Sequence, residues 1–310
     1  MWVVLAFISA LCLGGYDISK KMALRDHRVV DVLTCSILIS SLILSVPLIL
    51  SRLCPEWMTG TLFYVPRLDV QAHLLTILKS CIVLSSWIFA YVSLKHLPIS
   101  VVSPMQATRP MWTLVGALLI FGERLNAWQW IGITLAIGSI FVFSFHKPAH
   151  HSTFTIQLST FNFNRYYLCL ALAILIGSCS GLYDKFMMRH YDHNAVQVYY
   201  TFYQALIMSV VWLIERYKTS ASSRPSKPSA ITIAVIAMIS VFLVISDNVY
   251  MLALRDPDSL IAVVSTIRRG GAVIGFAYGL IFLHEPDPQK KIACMAGIMA
   301  GLICLAFGSL

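Results

Sequence analysis

Two adjacent arginines in the middle of an apolar run are the residues of this sequence best placed to do chemistry. Arg268 and Arg269 lie within residues 260–283, a run long enough to cross a bilayer, which takes about 20 residues. Even lenient insertion scales give a central Arg a cost of about 2.5 to 3.5 kcal/mol. The guanidiniums must therefore face water, a carboxylate or an anionic ligand. We interpret them as part of a substrate site, with a structural ion pair as the alternative.

A third intramembrane arginine stands in the fourth apolar segment. Arg109 has Gln106 on its face one turn earlier, and Pro110 releases a backbone carbonyl near the cation because proline has no N–H. Ser265 similarly precedes the arginine pair by one turn. Arginine offers a two-pronged donor suited to carboxylate or phosphate, so three arginines favour an oxyanion as substrate. Gly270 and the glycine after it permit close approach, either of a ligand or of a neighbouring helix.

Intramembrane carboxylates could balance these cations. Asp247 and its neighbour Asn248 lie about two-thirds along the eighth segment. For Asp247, structural pairing with an arginine, substrate contact and proton coupling all stay open. Two further aspartates lie nearer helix ends, each beside a tyrosine, and a gate or a solvated helix end is expected for these four: Tyr16, Asp17, Tyr183 and Asp184.

Polar and aromatic residues in two further segments complete the candidate site. Lys79, in the third segment, either snorkels to the interface or adds a fourth binding cation. Trp87 and Tyr91 form an i, i+4 pair in the same segment. In the seventh segment Tyr200 and Gln204 share one face of the helix, and Tyr203 lies beside them. These amphipathic residues suit either a cavity wall or an interfacial aromatic belt.

Composition identifies a polytopic membrane protein. The chain is 58% hydrophobic and 12% charged, with a mean hydropathy of +0.77, far from a soluble domain. No Cys or His spacing indicates a metal site, and we expect no cofactor and no nucleic-acid partner. All-α structure is expected because each span must satisfy its own backbone. Ten spans are predicted: 2–22, 30–50, 72–94, 99–121, 128–145, 166–188, 195–214, 230–254, 259–283 and 292–310.

The two halves of the chain resemble each other. Residues 86–95 align with 246–255, and on that register Arg109 meets Arg269. Five helices per half would invert the second repeat relative to the first, a common transporter plan with the site at the midplane. We therefore predict ten transmembrane helices as two inverted five-helix repeats, divided into residues 1–146, a loop at 147–165, and residues 166–310.

The sequence also resembles a known family. A short polar turn, a helix with a mid-span Pro or Gly, then Phe-Gly-Glu at 121–123 and an apolar helix from Trp128 resemble the EamA-type repeat of the drug/metabolite transporter superfamily. The resemblance is clearest over residues 91–140 and recurs in degraded form over 251–305. It implies a ten-helix inverted-repeat carrier that works by alternating access and is not an enzyme.

The ninth segment is similar to that of one branch of this superfamily. Plastid triose-phosphate translocators carry a Lys-Arg pair there, with a Lys in the fourth helix, and these hold the substrate phosphate. Arg268, Arg269 and Arg109 match those positions in type and depth, with Arg in place of both Lys. The resemblance implies an anionic, phosphorylated or carboxylated substrate.

We therefore expect a secondary transporter of a small anionic metabolite, working as an antiporter if the empty cationic site resists closure. The alternative is a proton-coupled exporter of amino acids or other metabolites with structural arginines. A membrane enzyme acting on a lipid phosphate would need a base, and only Asp247 offers one. We expect a monomer or homodimer in the bilayer of the cell (inner) membrane. Loop charges place both termini outside, whereas the superfamily usually has them in the cytosol.

Overall fold

The computed structural model describes residues 1–24, 28–96, 108–145, 165–218, 230–271, 273–274, 277 and 288–309. Within them every regular element is a helix, as the need to satisfy backbone groups in lipid requires. In the described part of the chain eleven helices have defined bounds, in chain order: α1 Trp2–Leu24, α2 Val29–Leu53, α3 Pro55–Met58, α4 Val70–His96, α5 Arg109–Ile120, α6 Ala127–Phe145, α7 Arg165–His190, α8 His193–Lys218, α9 Ala230–Arg255, α10 Ile261–Arg269 and α11 Pro288–Gly308.

The helices follow the apolar segments of the sequence. Leaving aside the single turn of α3, the described helices correspond one by one to the ten predicted segments. Six of them are long and apolar enough to cross a bilayer: the greater parts of α1, α2, α4, α7, α8 and α9. Large apolar side chains stay exposed along these helices, among them Leu42, Leu74 and Leu206. This surface fits contact with lipid, and the chain is an all-α membrane protein.

The chain divides into two compact units, each built from both halves of the sequence. Unit 1 comprises residues 1–81 and 184–259, and unit 2 comprises residues 82–183 and 260–310. The division falls inside α4 and inside α7. The units therefore differ from the predicted sequential repeats, whose inverted relationship stays a prediction.

Small residues bring helices close together within each unit. In unit 1 the Ser9 hydroxyl on α1 donates to the Ser246 carbonyl on α9 at 2.8 Å, and Ser246 donates back to the Ser9 carbonyl at 3.0 Å. In unit 2, Gly301 on α11 lies against the backbone of α6, where an added Cβ would be 2.8 Å from the Gly132 carbonyl oxygen. Such packing is the usual basis of helix association in membranes.

Candidate functional site

A buried ion pair lies in unit 1 between α4 and α7. The Lys79 ammonium donates to the Asp184 carboxylate. Lys79 is 2% exposed and Asp184 is 9% exposed. The expectations that Lys79 snorkels and that Asp184 belongs to a solvated helix end are therefore wrong. Because an isolated charge in this setting would be costly, each residue compensates the other.

An aromatic ring and an amide from α8 complete what we call the Lys79 cluster: Lys79, Asp184, Tyr200 and Gln204. The Lys79 Nζ lies 4.6 Å from the centroid of the Tyr200 ring, a cation–π arrangement. The Gln204 amide donates to the Tyr200 hydroxyl at 2.9 Å, and the Ser80 hydroxyl donates to the Tyr200 carbonyl at 3.2 Å. Tyr200 and Gln204 are buried, so they do not form an interfacial belt.

Tyr203, also on α8, contacts His73 on α4, which is not part of the Lys79 cluster. It is half-buried, and its hydroxyl lies 3.0 Å from the His73 Nδ1 on α4. The His73 ring also meets Tyr199 edge-on, with ring centroids 4.5 Å apart. Tyr203 thus lies among aromatic contacts between α4 and α8, and the substrate-binding role predicted for it stays a prediction.

Amide side chains link α8 to α9 in the same unit. The Asn248 amide donates to the Gln197 side-chain oxygen at 2.7 Å and to the Asn194 side-chain oxygen at 2.9 Å. Gln197 in turn donates to the Val244 carbonyl at 2.7 Å. Asn248 therefore orders the start of α8 against α9. Its neighbour Asp247 is half-buried, and the charge-balancing role of Asp247 stays a prediction.

Asp192 directly precedes α8 and has a lowered pKa. It accepts hydrogen bonds from the backbone N–H of Asn194 at 3.0 Å and Ala195 at 3.2 Å, as an N-cap does. Arg255 lies 3.1 Å from its second oxygen. Burial opposes ionisation, but hydrogen bonds from His193 and Ala195 and the charges of His193 and Arg255 outweigh it. The pKa of Asp192 therefore falls below its ordinary value of 3.8.

The arginine pair lies in unit 2, at the end of α10. The sequence predicts one helix through this region, whereas α10 ends at Arg269. Beyond it the backbone N–H groups of residues 270, 271, 273 and 274 each bond to the carbonyl three residues earlier, a tighter winding. Arg268 is half-buried and Arg269 is exposed. Both occupy the last turn of α10, where the helix dipole favours cations.

Gly270, which follows the pair, is required for packing. A Cβ added there would be 2.6 Å from the Leu302 side chain on α11 and 2.9 Å from the Ile267 carbonyl oxygen. Of the two interpretations from the sequence, close approach of a ligand or of a neighbouring helix, the second accounts for this glycine. Ser265 lies one turn before the pair and donates to the Ala262 carbonyl at 3.1 Å, which is a local helix bond.

Glu123 holds the other end of α10, and sequence reasoning assigned it no role. Its carboxylate accepts hydrogen bonds from the backbone N–H of Ile261 at 2.7 Å and of Ala262 at 3.2 Å. Glu123 is 7% exposed. A carboxylate at this position satisfies N-terminal donors and favours the helix dipole. The Phe-Gly-Glu motif at 121–123 is the signal that could have found it, with Gly122 at φ +61°.

Arg109 packs directly on α7 within unit 2. Its guanidinium donates to the Gly177 carbonyl at 2.6 Å, and the Ser178 hydroxyl donates to the Arg109 carbonyl at 3.1 Å. A side chain at Gly177 would overlap this guanidinium. Arg109 is therefore bound to the backbone of a neighbouring helix at the start of α5.

The other predicted residues are placed as follows. Tyr16, Trp87 and Tyr183 are half-buried, and Asp17 is exposed. Gln106 and the side chain of Tyr91 lie outside the described residues. Sequence reasoning also assigned no role to Lys185, which is fully buried beside Asp184 and donates to the carbonyl and hydroxyl of Ser259.

Comparison with known proteins identifies the class of protein. Residues 1–145 match the EamA-like transporter family, which confirms the resemblance for the first half of the chain. A solved structure titled "Crystal structure of protein" is similar, with 11% identity over 99% of this chain and 96% of that chain, and a TM-score of 0.75. At that identity the likeness shows the fold alone. No curated protein matches the chain.

The family match and the apolar helices together indicate a multi-pass integral membrane protein that transports small molecules. The correspondence with triose-phosphate translocators stays a prediction. So do the roles assigned to the candidate site residues.

Proposed function

We propose that this chain is a secondary transporter that carries a small carboxylated or phosphorylated anion by alternating access. The observation that supports it is the exposure of Arg269 within the apolar run of residues 260–283. A guanidinium at that position is costly against lipid, so it must face water, a carboxylate or an anionic ligand, and an anionic substrate is one of these three. An interrupted helix that ends in charged groups also suits a site built at a helix break.

Obligatory exchange follows from the same charges. An empty site lined by Arg268, Arg269 and Arg109 would resist occlusion, because cations close together in a dry cavity repel each other. A bound oxyanion would relieve that repulsion, so the loaded carrier closes and turns over while the empty one does not. Neutralisation by Asp247 would instead permit uniport. We place the carrier in the cell (inner) membrane, as a monomer or homodimer.

A second candidate is a proton-coupled exporter of amino acids or other small metabolites. The hydrogen bond from the Arg109 guanidinium to the Gly177 carbonyl favours it, because a guanidinium bound to helix backbone is fulfilling a structural role. In that case the arginines stabilise packing, and the substrate is neutral or zwitterionic.

Ligand-induced thermal stabilisation of the detergent-purified protein separates the two candidates. The ligands are inorganic phosphate, hexose phosphates, succinate and a set of neutral and zwitterionic amino acids. The variants are Arg269→Ala and Arg109→Ala, with Arg124→Ala as the matched control because Arg124 is exposed in the loop before α6. A bound ligand raises stability in proportion to the logarithm of its concentration over Kd.

The proposed function predicts stabilisation by a phosphorylated or carboxylated compound that disappears in Arg269→Ala and persists in Arg124→Ala. Stabilisation by amino acids alone, unchanged in Arg269→Ala, would reject the anion carrier and establish the second candidate. Counterflow of the stabilising compound into liposomes then shows that it is moved and not converted.

A further inference from the structure

The Lys79–Asp184 ion pair is an unusual feature for two helices that are long and apolar enough to span a membrane. Both charges are buried, and a hydrogen bond joins them. A buried ion pair gains little over apolar residues of the same size, because desolvation offsets the attraction. Intramembrane ionisable groups that pair with each other commonly mark ion or proton pathways. A role beyond packing is therefore the better explanation.

The described groups around the pair define what it can do electrically. α4 contributes Lys79, α7 contributes Asp184, and α8 contributes the Tyr200 phenol, whose hydroxyl accepts from the neutral Gln204 amide. Lys185 on α7 is also cationic, but it donates to Ser259. With Lys79 protonated and Asp184 ionised, the pair is neutral. Adding a single negative charge to this site leaves one charge uncompensated.

Protonation of Asp184 removes that imbalance. A neutral carboxylic acid no longer holds the ammonium as an ion pair, and Lys79 keeps its place over the Tyr200 ring. The ammonium can then donate to an oxyanion of the substrate, with Gln204 and Tyr200 as additional polar groups. The charge of the Lys79–Asp184 pair together with its ligand is therefore zero both before and after binding.

The pair also sits at an informative place in the chain. Lys79 precedes by two residues the division inside α4 after Cys81, and Asp184 directly follows the division inside α7. Each residue thus stands where its helix passes from one compact unit to the other. The ion pair therefore joins the two helices at the points along the chain where the division into units falls.

We propose that Lys79 and Asp184 form a proton-coupling switch, in which a proton on Asp184 releases Lys79 to bind the substrate anion. One proton enters Asp184 as one negative charge binds Lys79, and on release of the anion the proton leaves and the ion pair re-forms. Proton and anion therefore move in the same direction. The inference rests on the proposed transport of an anion and adds its coupling ion.

Linkage sets the size of the effect. Binding that takes up one proton strengthens up to tenfold for each unit that the pH falls, over the range in which Asp184 is ionised in the empty carrier and protonated in the loaded one. The same coupling lets an inward proton gradient drive uptake.

The experiment measures uptake of labelled compound into liposomes that contain the full chain and are preloaded with the same compound unlabelled, so that an obligatory exchanger can turn over. Inorganic phosphate, succinate and a hexose phosphate, each radiolabelled, serve as probes, and the membrane potential is clamped at zero. Initial rates are compared with and without a proton gradient of one pH unit, acid outside. The variants are Asp184→Asn, which mimics the protonated acid, and Asp184→Glu, which keeps a carboxylate. Lys79→Gln removes the cation.

The switch predicts that the gradient accelerates wild-type uptake several-fold. Asp184→Asn should exchange the probe at equal rates with and without the gradient, Asp184→Glu should keep the response, and Lys79→Gln should lose uptake. If the pair is merely structural, all the substitutions should lower uptake together, and the residual uptake of Asp184→Asn should still respond to the gradient. If Asp184→Asn does not fold, the wild-type and Asp184→Glu responses decide.

Uptake that ignores the gradient in the wild type, or a gradient response that persists in Asp184→Asn, would overturn the switch and leave the proposed anion carrier intact. Failure of the wild type to move any of the three probes would overturn both.

Discussion

Replacement of Glu123 by alanine should destabilise the start of α10. The change removes the acceptor of two backbone hydrogen bonds, to Ile261 at 2.7 Å and Ala262 at 3.2 Å. Both of those residues are buried, with 0% and 1% exposure, so water cannot easily replace the carboxylate. Hydrogen bonds to charged groups contribute about 1.5–3 kcal/mol each, whereas removal of a helix cap costs about 0.5–2 kcal/mol. We expect Glu123→Ala to lower the free energy of unfolding by about 2–4 kcal/mol, which is more than the loss of an ordinary cap and less than the loss of two full charged hydrogen bonds.

Thermal unfolding of the detergent-purified protein measures this loss against two reference variants. Glu123→Gln keeps one acceptor oxygen and loses the charge, so its cost should fall near half that of Glu123→Ala. Glu56→Ala removes an exposed glutamate from the short helix α3 and should stay within about 0.5 kcal/mol of the wild type. Equal stability of Glu123→Ala and Glu56→Ala would refute the capping role. Because α10 carries Arg268 and Arg269, Glu123→Ala should also weaken binding of the anionic ligand that stabilises the wild type in the thermal-shift assay.

Three further outcomes follow from the described contacts. The pKa of Asp192 lies below its ordinary value, so its ionised form stabilises the folded protein above about pH 4. This contribution disappears as the pH falls through the lowered pKa. Unfolding measured at several pH values should therefore show a stability difference between wild type and Asp192→Ala that shrinks in acid. Gly301→Ala should destabilise because its Cβ would meet the backbone of α6, whereas Gly138→Ala, with nothing within 4 Å, should stabilise by about 0.5–1 kcal/mol in the same assay. Tyr200→Phe should cost about 1–3 kcal/mol by leaving a buried Gln204 donor unsatisfied, and the double variant Tyr200→Phe/Gln204→Leu should cost less than the sum of the single variants in a double-mutant cycle.

The sequence predicted the helices better than their ends and interruptions. Eight of the ten predicted segments overlap a described helix over most of their length, because a membrane span depends mainly on the hydropathy of its own residues. The fourth segment corresponds to α5, and its first part, residues 99–107, lies outside the described residues. The ninth is interrupted: α10 ends at Arg269, residues 273, 274 and 277 are again helical, and the other residues of 272–283 lie outside the described part of the chain. Hydropathy does not report a change of winding at Gly270, where the close approach of Leu302 from α11 requires a residue without a side chain.

The sequence reveals the candidate residues, which are charged or polar side chains within apolar segments, but it does not reveal the residues that they contact. Lys79, Asp184, Tyr200 and Gln204 were all singled out, but as a snorkelling or binding cation, a gate and a cavity wall. Their assembly into one cluster in unit 1 depends on a contact between residues 105 positions apart. Glu123 and Lys185 have no role that their sequence context predicts, because a charged residue near a helix end is usually solvated.

The sequence by itself determined the class of structure and the positions of its costly charges. Apolar runs in lipid must become helices, and a charge within such a run is expensive whatever its neighbours are. Only the tertiary structure decided which charge meets which. The rotation of each helix about its axis and the choice of its neighbours depend on packing between segments that are distant in the chain. That packing set Asp184 against Lys79, the Arg109 guanidinium against the Gly177 carbonyl, and the Glu123 carboxylate at the start of α10.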